Sequence, residues 1–259
     1  MSTTTAQLGM LRTAITAAGA TFPKDVVQAL ADRDKIAQAS SDFLAPSADQ
    51  VADAIAGCLL RGEDPADDEH VRHLTTASAI SSPSGGYSMN VTAAADRRVV
   101  AALEANADVI IGILAEAAAK AGAKLANAFR VIGDHDLTDE AFILRLGPDG
   151  ARAWVEAREA QQQLRALERG WGALANMTHF ANISGDPTNR IADLDLETWE
   201  KVGRKADPWA IVCAGGTISL ADRHSIRERT ARLADARQER QDQLVKAPAR
   251  PSYLPTSAA

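Results

Sequence analysis

The feature that most constrains the fold is the stretch from Thr92 to Ile132, which contains no proline. Its apolar residues recur at steps of three, four or seven, so they fall along one face of an α-helix. A continuous helix of this length would extend about 60 Å. The pattern therefore predicts one long amphipathic helix, whose buried face would consist of Val99, Leu103, Ile110, Leu114, Ala118, Ala121, Leu125 and Ile132.

A second long helix is predicted after the turn signal Gly147-Pro-Asp-Gly150, and it would end near Thr178. One face of this helix would carry Trp154, Ala157, Gln161, Leu164, Leu167, Trp171 and Leu174. Two long helices joined by a compact connection fold back on each other as an antiparallel hairpin. In that hairpin we expect one set of residues, Leu103, Ile110, Leu114 and Leu125, to face a second set, Leu164, Trp171 and Leu174.

The composition supports helices that pack closely side by side. The chain has 53 alanines, whereas aromatic residues make up only 4% of it. Alanine is the best helix former but adds little bulk to a core. The predicted fold is all-α, with a long Ala-rich antiparallel helical hairpin within a helical bundle and extra helices at both ends. Because such helices leave apolar surface uncovered, association with a partner is expected.

Turn and linker residues divide the sequence into five segments. The clearest break is the run of serine and glycine that begins at Ser81. The last helix is expected to begin at Ser219 as N-cap, with Asp222 three residues further on. The predicted segments are an N-terminal helical region (1–80), a Ser/Gly-rich loop or linker (81–90), the long hairpin (91–180), an irregular region with a polar C-terminal helix (181–246) and a disordered tail (247–259).

Charge and cysteine usage indicate a soluble cytoplasmic protein. The net charge is −6 and the isoelectric point is about 5.4, whereas nucleic-acid-binding domains are usually strongly basic. The most apolar stretch, Val109 to Ala115, is too short to span a bilayer. Cys58 and Cys213 stand alone in the sequence, which is typical of reduced thiols in the cytosol. We therefore expect no membrane partner.

The densest group of potential metal ligands includes Glu69, His70 and His73, close to three aspartates between Asp64 and Asp68. Glu69 and His73 are four residues apart, so they share a helix face, as ligands of divalent metals often do. Acidic residues are also favoured at a helix N-terminus for electrostatic reasons, and we favour this interpretation. His135, between the two long helices, is a comparable candidate for a general base. No catalytic residue, metal or cofactor is assigned.

The last helix combines arginines with interleaved carboxylates, from Arg223 to Asp242. Phosphate binding requires cations that are not neutralised. Opposite charges at three- and four-residue spacing instead indicate an exposed, internally paired helix or the flank of a coiled coil. Contact with nucleic acid is therefore only the second alternative function.

Tryptophan is enriched at protein–protein contacts, and two tryptophans lie in the irregular region. Together with the thin apolar seam of the last helix they are the candidate interaction residues: Trp199, Trp209, Leu220, Ile226 and Leu233. The favoured function is a non-enzymatic structural or assembly protein that acts through its long helices and associates with itself or with another helical protein. The first alternative is a helical-bundle enzyme, or a binder of a small ligand or metal.

Overall fold

The computed structural model describes residues 3–42, 46–81, 87–143, 145–180, 186–203 and 207–246. Within these residues the protein is all-α, as predicted, and it contains no strand. The helices are α1 (Thr3–Ala17), α2 (Lys24–Asp42), α3 (Ala48–Leu60), α4 (Glu69–Ser81), α5 (Tyr87–Ala105), α6 (Ala107–Ile132), α7 (Glu140–Ile143), α8 (Pro148–Thr178), α9 (Thr188–Ile191), α10 (Leu196–Val202), α11 (Pro208–Cys213) and α12 (Ser225–Lys246).

The chain divides into two compact units. One unit comprises residues 22–107 and therefore contains α2 to α5. The other comprises residues 1–21 together with 108–259, so that α1 belongs to the same unit as α6 to α12. Of the segments predicted from the sequence, the linker at 81–90 lies partly outside the described residues, and α5 begins within it at Tyr87. The predicted tail at 247–259 also lies outside them.

In the unit of residues 22–107, α2 packs along α5, and α3 packs against α4. The α2–α5 contact includes an ion pair between Arg33 and Asp96, whose side-chain atoms are 2.6 Å apart and only 16% and 18% exposed. The N-terminus of α3 has a capping box, in which Ser47 and Gln50 each accept a hydrogen bond from the other's backbone N–H. At α4 the corresponding acceptor is Asp68, which receives the N–H of Val71.

The predicted long helix from Thr92 to Ile132 is interrupted, so the prediction of one continuous helix was wrong. Helix α5 ends at Ala105 and α6 begins at Ala107, with Asn106 between them. The side-chain amide of Asn106 donates to the carbonyl of Ala102 at 2.9 Å, as does its own backbone N–H at 3.2 Å. Asparagine competes in this way for backbone groups and favours helix ends. The apolar face itself is correct, because Val99, Leu103, Ile110, Leu114, Ala118, Ala121, Leu125 and Ile132 are all buried.

In the other unit, α1 lies along α8. Gly170 of α8 is so close to Ala14 of α1 that a Cβ atom at this position would overlap the Ala14 methyl group. The side-chain amide of Gln163 donates to the carbonyl of Ala17 at 2.7 Å and so binds the last turn of α1. The most extensive close backbone approach of α8 is thus to α1. The antiparallel pairing of the two predicted long helices stays a prediction.

The irregular region is ordered around a short antiparallel bridge between Ala192 and Ile218. Ile218 also covers Gly122 of α6, where an added Cβ would lie 2.6 Å from the Cβ of Ile218. After this bridge the chain leads into α12, which begins at Ser225 and not at Ser219 as predicted. The carboxylate of Asp222 accepts the N–H groups of His224 and Ser225 at 2.9 and 2.7 Å, which makes Asp222 the cap.

Candidate interaction surface

Helix α3 presents an apolar face that the described residues leave uncovered. Of its thirteen residues only Cys58 is buried. Four residues at helical spacing, Ala48, Ala52, Ala56 and Leu59, are exposed, and Ile55 beside them is half-buried. We call these five residues the α3 stripe. No charged residue interrupts the stripe, because Asp49 and Asp53 lie at its edge.

Two leucines extend this face at the C-terminal end of α3. Leu59 is 59% exposed and Leu60, the last residue of α3, is 90% exposed. The exposed Ala56 lies three and four residues before them, the spacing at which side chains adjoin on a helix surface, so both leucines border the same apolar face. Single exposed apolar residues are normal, whereas contiguous ones mark interaction sites. The α3 stripe is therefore the candidate interaction surface.

Four of the five interaction residues predicted from the sequence lie inside the chain's own core. Trp209, Leu220, Ile226 and Leu233 are between 4% and 8% exposed. The indole N–H of Trp209 donates to the carbonyl of His135 at 2.9 Å, and its ring meets Phe129 edge-on. These side chains fill the interior, so they offer almost no surface to a partner. The sequence pattern could not distinguish an internal seam from an external one.

The fifth residue, Trp199, is half-buried in a polar cluster. Its indole N–H donates to the carboxylate of Asp186 at 2.8 Å, and the guanidinium of Arg237 lies 3.8 Å from the centre of its ring. Asp186 also accepts the backbone N–H of Thr188 at 3.0 Å. Trp199 thus connects α10 to α12 and to the start of α9, a structural role that uses both its ring and its N–H.

The arginines of α12 are largely engaged with other elements of the same unit. Arg232 pairs with Asp193, Arg237 with Asp186 and Arg240 with Glu200, and Arg223, just before the helix, pairs with Asp108. These partners lie outside α12, whereas the sequence pattern had indicated pairing within the helix. Because phosphate contacts require cations without such partners, these four arginines are poorly suited to bind nucleic acid.

Another arginine of α12, Arg229, is buried and 8% exposed. Its guanidinium donates to the carbonyl of Ser219 at 2.7 Å and to the Ser219 hydroxyl at 3.0 Å. Burial lowers the pKa of Arg229, while the charge of Asp222 opposes that change. Because the guanidinium satisfies buried carbonyl groups, it fastens α12 to the segment that precedes it.

The predicted metal candidates Glu69, His70 and His73 are all exposed on α4. Nearby, Cys58, Glu63 and Asp68 form the one group of three potential ligand atoms found within 4.8 Å of one another in the described residues. Arg61 binds both carboxylates of this group, at 2.8 Å from Glu63 and 2.9 Å from Asp68. Burial and the two carboxylates raise the pKa of the Cys58 thiol. A protonated thiol beside neutralised carboxylates is a poor metal ligand set.

His135, the candidate general base, is occupied in a local structural contact. Its ring stacks on Phe142 with centroids 3.8 Å apart, and its Nδ1 lies 2.7 Å from the carbonyl oxygen of Ile132. These contacts connect the end of α6 to α7. They account for the histidine without a catalytic role.

No protein-family model, no curated protein and no solved structure matches the chain. Among the described residues, no helix has both the length and the apolar character that crossing a membrane requires.

Proposed function

We propose that the protein is a non-enzymatic assembly protein that associates with a second copy of itself through the α3 stripe. The observation that carries the proposal is the exposure of Leu59 and Leu60 on a helix with only one buried residue. Burying an exposed apolar side chain against a partner removes it from water, and this stabilises the complex.

The small residues of the stripe suit a helical partner. Ala48, Ala52 and Ala56 follow one another at four-residue steps, which allows a second helix to approach closely. A surface without charges also opposes no like charges when it meets its own copy across a two-fold axis. A second copy of α3, running antiparallel, is therefore the partner that this surface fits best.

The expected association is weak. The stripe has five residues of small or medium size on a helix about 20 Å long, so it buries much less than the roughly 1,600 Å² of a standard interface. A weak contact forms only at high protein concentration, and several weak contacts acting together hold an assembly.

In the described residues the cysteines Cys58 and Cys213 are both free thiols, which supports the proposed cytoplasmic location.

Cross-linking at a single cysteine tests the proposed contact. In a Cys213→Ser background, Ala52→Cys places a thiol at the centre of the α3 stripe, whereas Cys58 is buried. The matched control is Glu156→Cys, at an exposed position of α8. A short bismaleimide should give a covalent dimer with Ala52→Cys and little with the control. Equal cross-linking of the two variants, or none in either, would contradict association through α3.

A further inference from the structure

A groove beside α12 has the dimensions of a small-molecule site. Its volume is about 520 Å³, within the range of ligand pockets in proteins. It lies between the C-terminal end of α8, Asp186 and Arg190 beside and within α9, and the first half of α12. All of its lining residues belong to the unit that contains α8 and α12.

The floor of the groove is aromatic and apolar. It is formed by Trp171, Phe180 and Ile226, which are 1%, 8% and 8% exposed. The rings of Trp171 and Phe180 meet edge-on, with centroids 5.3 Å apart and planes at 87°. Since the indole N–H of Trp171 is already bound to the carbonyl of Ala221, the floor offers no free donor there. These three side chains are almost fully buried, so the apolar surface open to a ligand is mainly that of Ala231 and Ala234, which are exposed beside them.

The inner wall is polar and held in place by internal contacts. Arg190 pairs with Glu168 at 2.6 Å, and both side chains are less than 20% exposed. Asp186 accepts the N–H groups of Trp199 and Thr188 and pairs with Arg237 at 3.5 Å. Because these charges are already neutralised, the wall fixes the shape of the groove. The rim then determines which ligand charge the groove prefers.

The rim carries a cation without a carboxylate partner among the described residues. Arg227 is exposed, and its described hydrogen bond is a long one of 3.5 Å to the carbonyl of Phe180. Beside it stands His179, the C-cap of α8, whose φ of 54° is the left-handed conformation common at helix C-termini. The rim therefore favours a negatively charged group.

We infer that the groove binds a small organic anion, with its apolar body against Ala231 and Ala234 of α12 and its carboxylate, sulfonate or phosphate on Arg227. The exposed guanidinium selects the charge, since guanidinium groups bind oxyanions with paired hydrogen bonds. This inference does not depend on the α3 stripe, which belongs to the other unit.

The test uses the fluorescent dye 8-anilinonaphthalene-1-sulfonate and its neutral analogue N-phenyl-1-naphthylamine, which has the same aromatic body without the sulfonate. The sulfonated dye should bind the full-length protein saturably. Arg227→Gln should weaken that binding about tenfold or more, as expected for a charge-assisted hydrogen bond. The control Arg232→Gln, on the same helix but outside the groove, should leave it unchanged.

A second variant blocks the groove without changing the charge. Ala231 lines the groove and is exposed, so Ala231→Trp should fill it and abolish binding of both dyes while the circular dichroism spectrum stays that of the wild type. Dye bound instead at the α3 stripe would persist in this variant. Absence of saturable binding by the wild type, or equal binding by the wild type, Arg227→Gln and Ala231→Trp, would overturn the inference. Equal affinity for the neutral dye would overturn the role of Arg227.

Discussion

The indole Nε1 of Trp171 lies 2.7 Å from the carbonyl oxygen of Ala221, fifty residues further along the chain. Both residues are almost completely buried, at 1% and 0% exposed. This hydrogen bond joins the middle of the interior, on α8, to the segment that leads into α12. It gives Trp171 two functions in the core, since the ring supplies bulk and the N–H satisfies a buried carbonyl.

Trp171→Phe should destabilise the protein more than the same change at Trp154. Both tryptophans are buried, but the Nε1 of Trp154 has no hydrogen-bond partner among the described residues. The two variants lose similar volume, whereas only Trp171→Phe leaves a buried carbonyl unsatisfied. The additional cost should be about 1–3 kcal/mol, measured as the free energy of unfolding in urea. Equal destabilisation of the two variants would mean that the Trp171–Ala221 hydrogen bond contributes nothing.

Two glycines of α8 should respond oppositely to alanine. A Cβ at Gly170 would overlap Ala14 of α1, whereas a Cβ at Gly172 would only contact Arg190 at 3.5 Å. Gly170→Ala should therefore destabilise the protein by about 1–3 kcal/mol through overpacking. Gly172→Ala should stabilise it by up to about 1 kcal/mol through helix propensity. Thermal unfolding of both variants checks the prediction, and a stable Gly170→Ala variant would argue against the close packing of α1 on α8.

The cap of α12 should make stability depend on acid pH. The N–H of Ser225 is the main cause that lowers the pKa of Asp222, followed by the Ser225 hydroxyl. A carboxyl group with a lowered pKa in the native state stabilises it fully above its ordinary pKa of about 3.9, and this contribution is lost as the pH falls through the lowered value.

At neutral pH, Asp222→Ala should therefore cost about 1 kcal/mol of unfolding free energy. The advantage of wild type over Asp222→Asn should shrink as the pH falls below about 4. Urea unfolding across this pH range measures it, with Glu239→Gln as the control for the loss of one negative charge from α12. An advantage that stays constant down to the lowest pH would show that the Asp222 carboxylate does not cap the helix as an anion.

The sequence predicted helices and buried faces well because both depend on local periodicity. The apolar positions from Val99 to Ile132 are buried as expected, although Asn106 divides the helix. Pairing of elements depends on contacts distant in the sequence. The sequence around Gly170 does not indicate that α1 packs there. Likewise, the sequence around Arg232 does not indicate that Asp193 is its partner.

The candidate interaction surface escaped prediction for a related reason. Val51, Ile55, Cys58 and Leu59 follow one another at helical spacing in the sequence, but periodicity does not tell which of them the chain itself covers. The structure covers Cys58 and leaves Leu59 exposed. Conversely, Trp209 was predicted to contact a partner, but it is buried and its indole N–H donates to the carbonyl of His135.

The measurement that tests the central claim most directly is the molar mass in solution, by light scattering during size-exclusion chromatography across a wide range of protein concentration. The wild type should shift from monomer towards dimer as concentration rises. Leu59→Glu should remain monomeric, because a carboxylate would have to be buried in the α3 contact. The control Val131→Glu, which changes an equally exposed apolar residue on α6, should behave as the wild type. A wild type that is monomeric at every concentration, or a Leu59→Glu variant that dimerises as readily, would contradict the account.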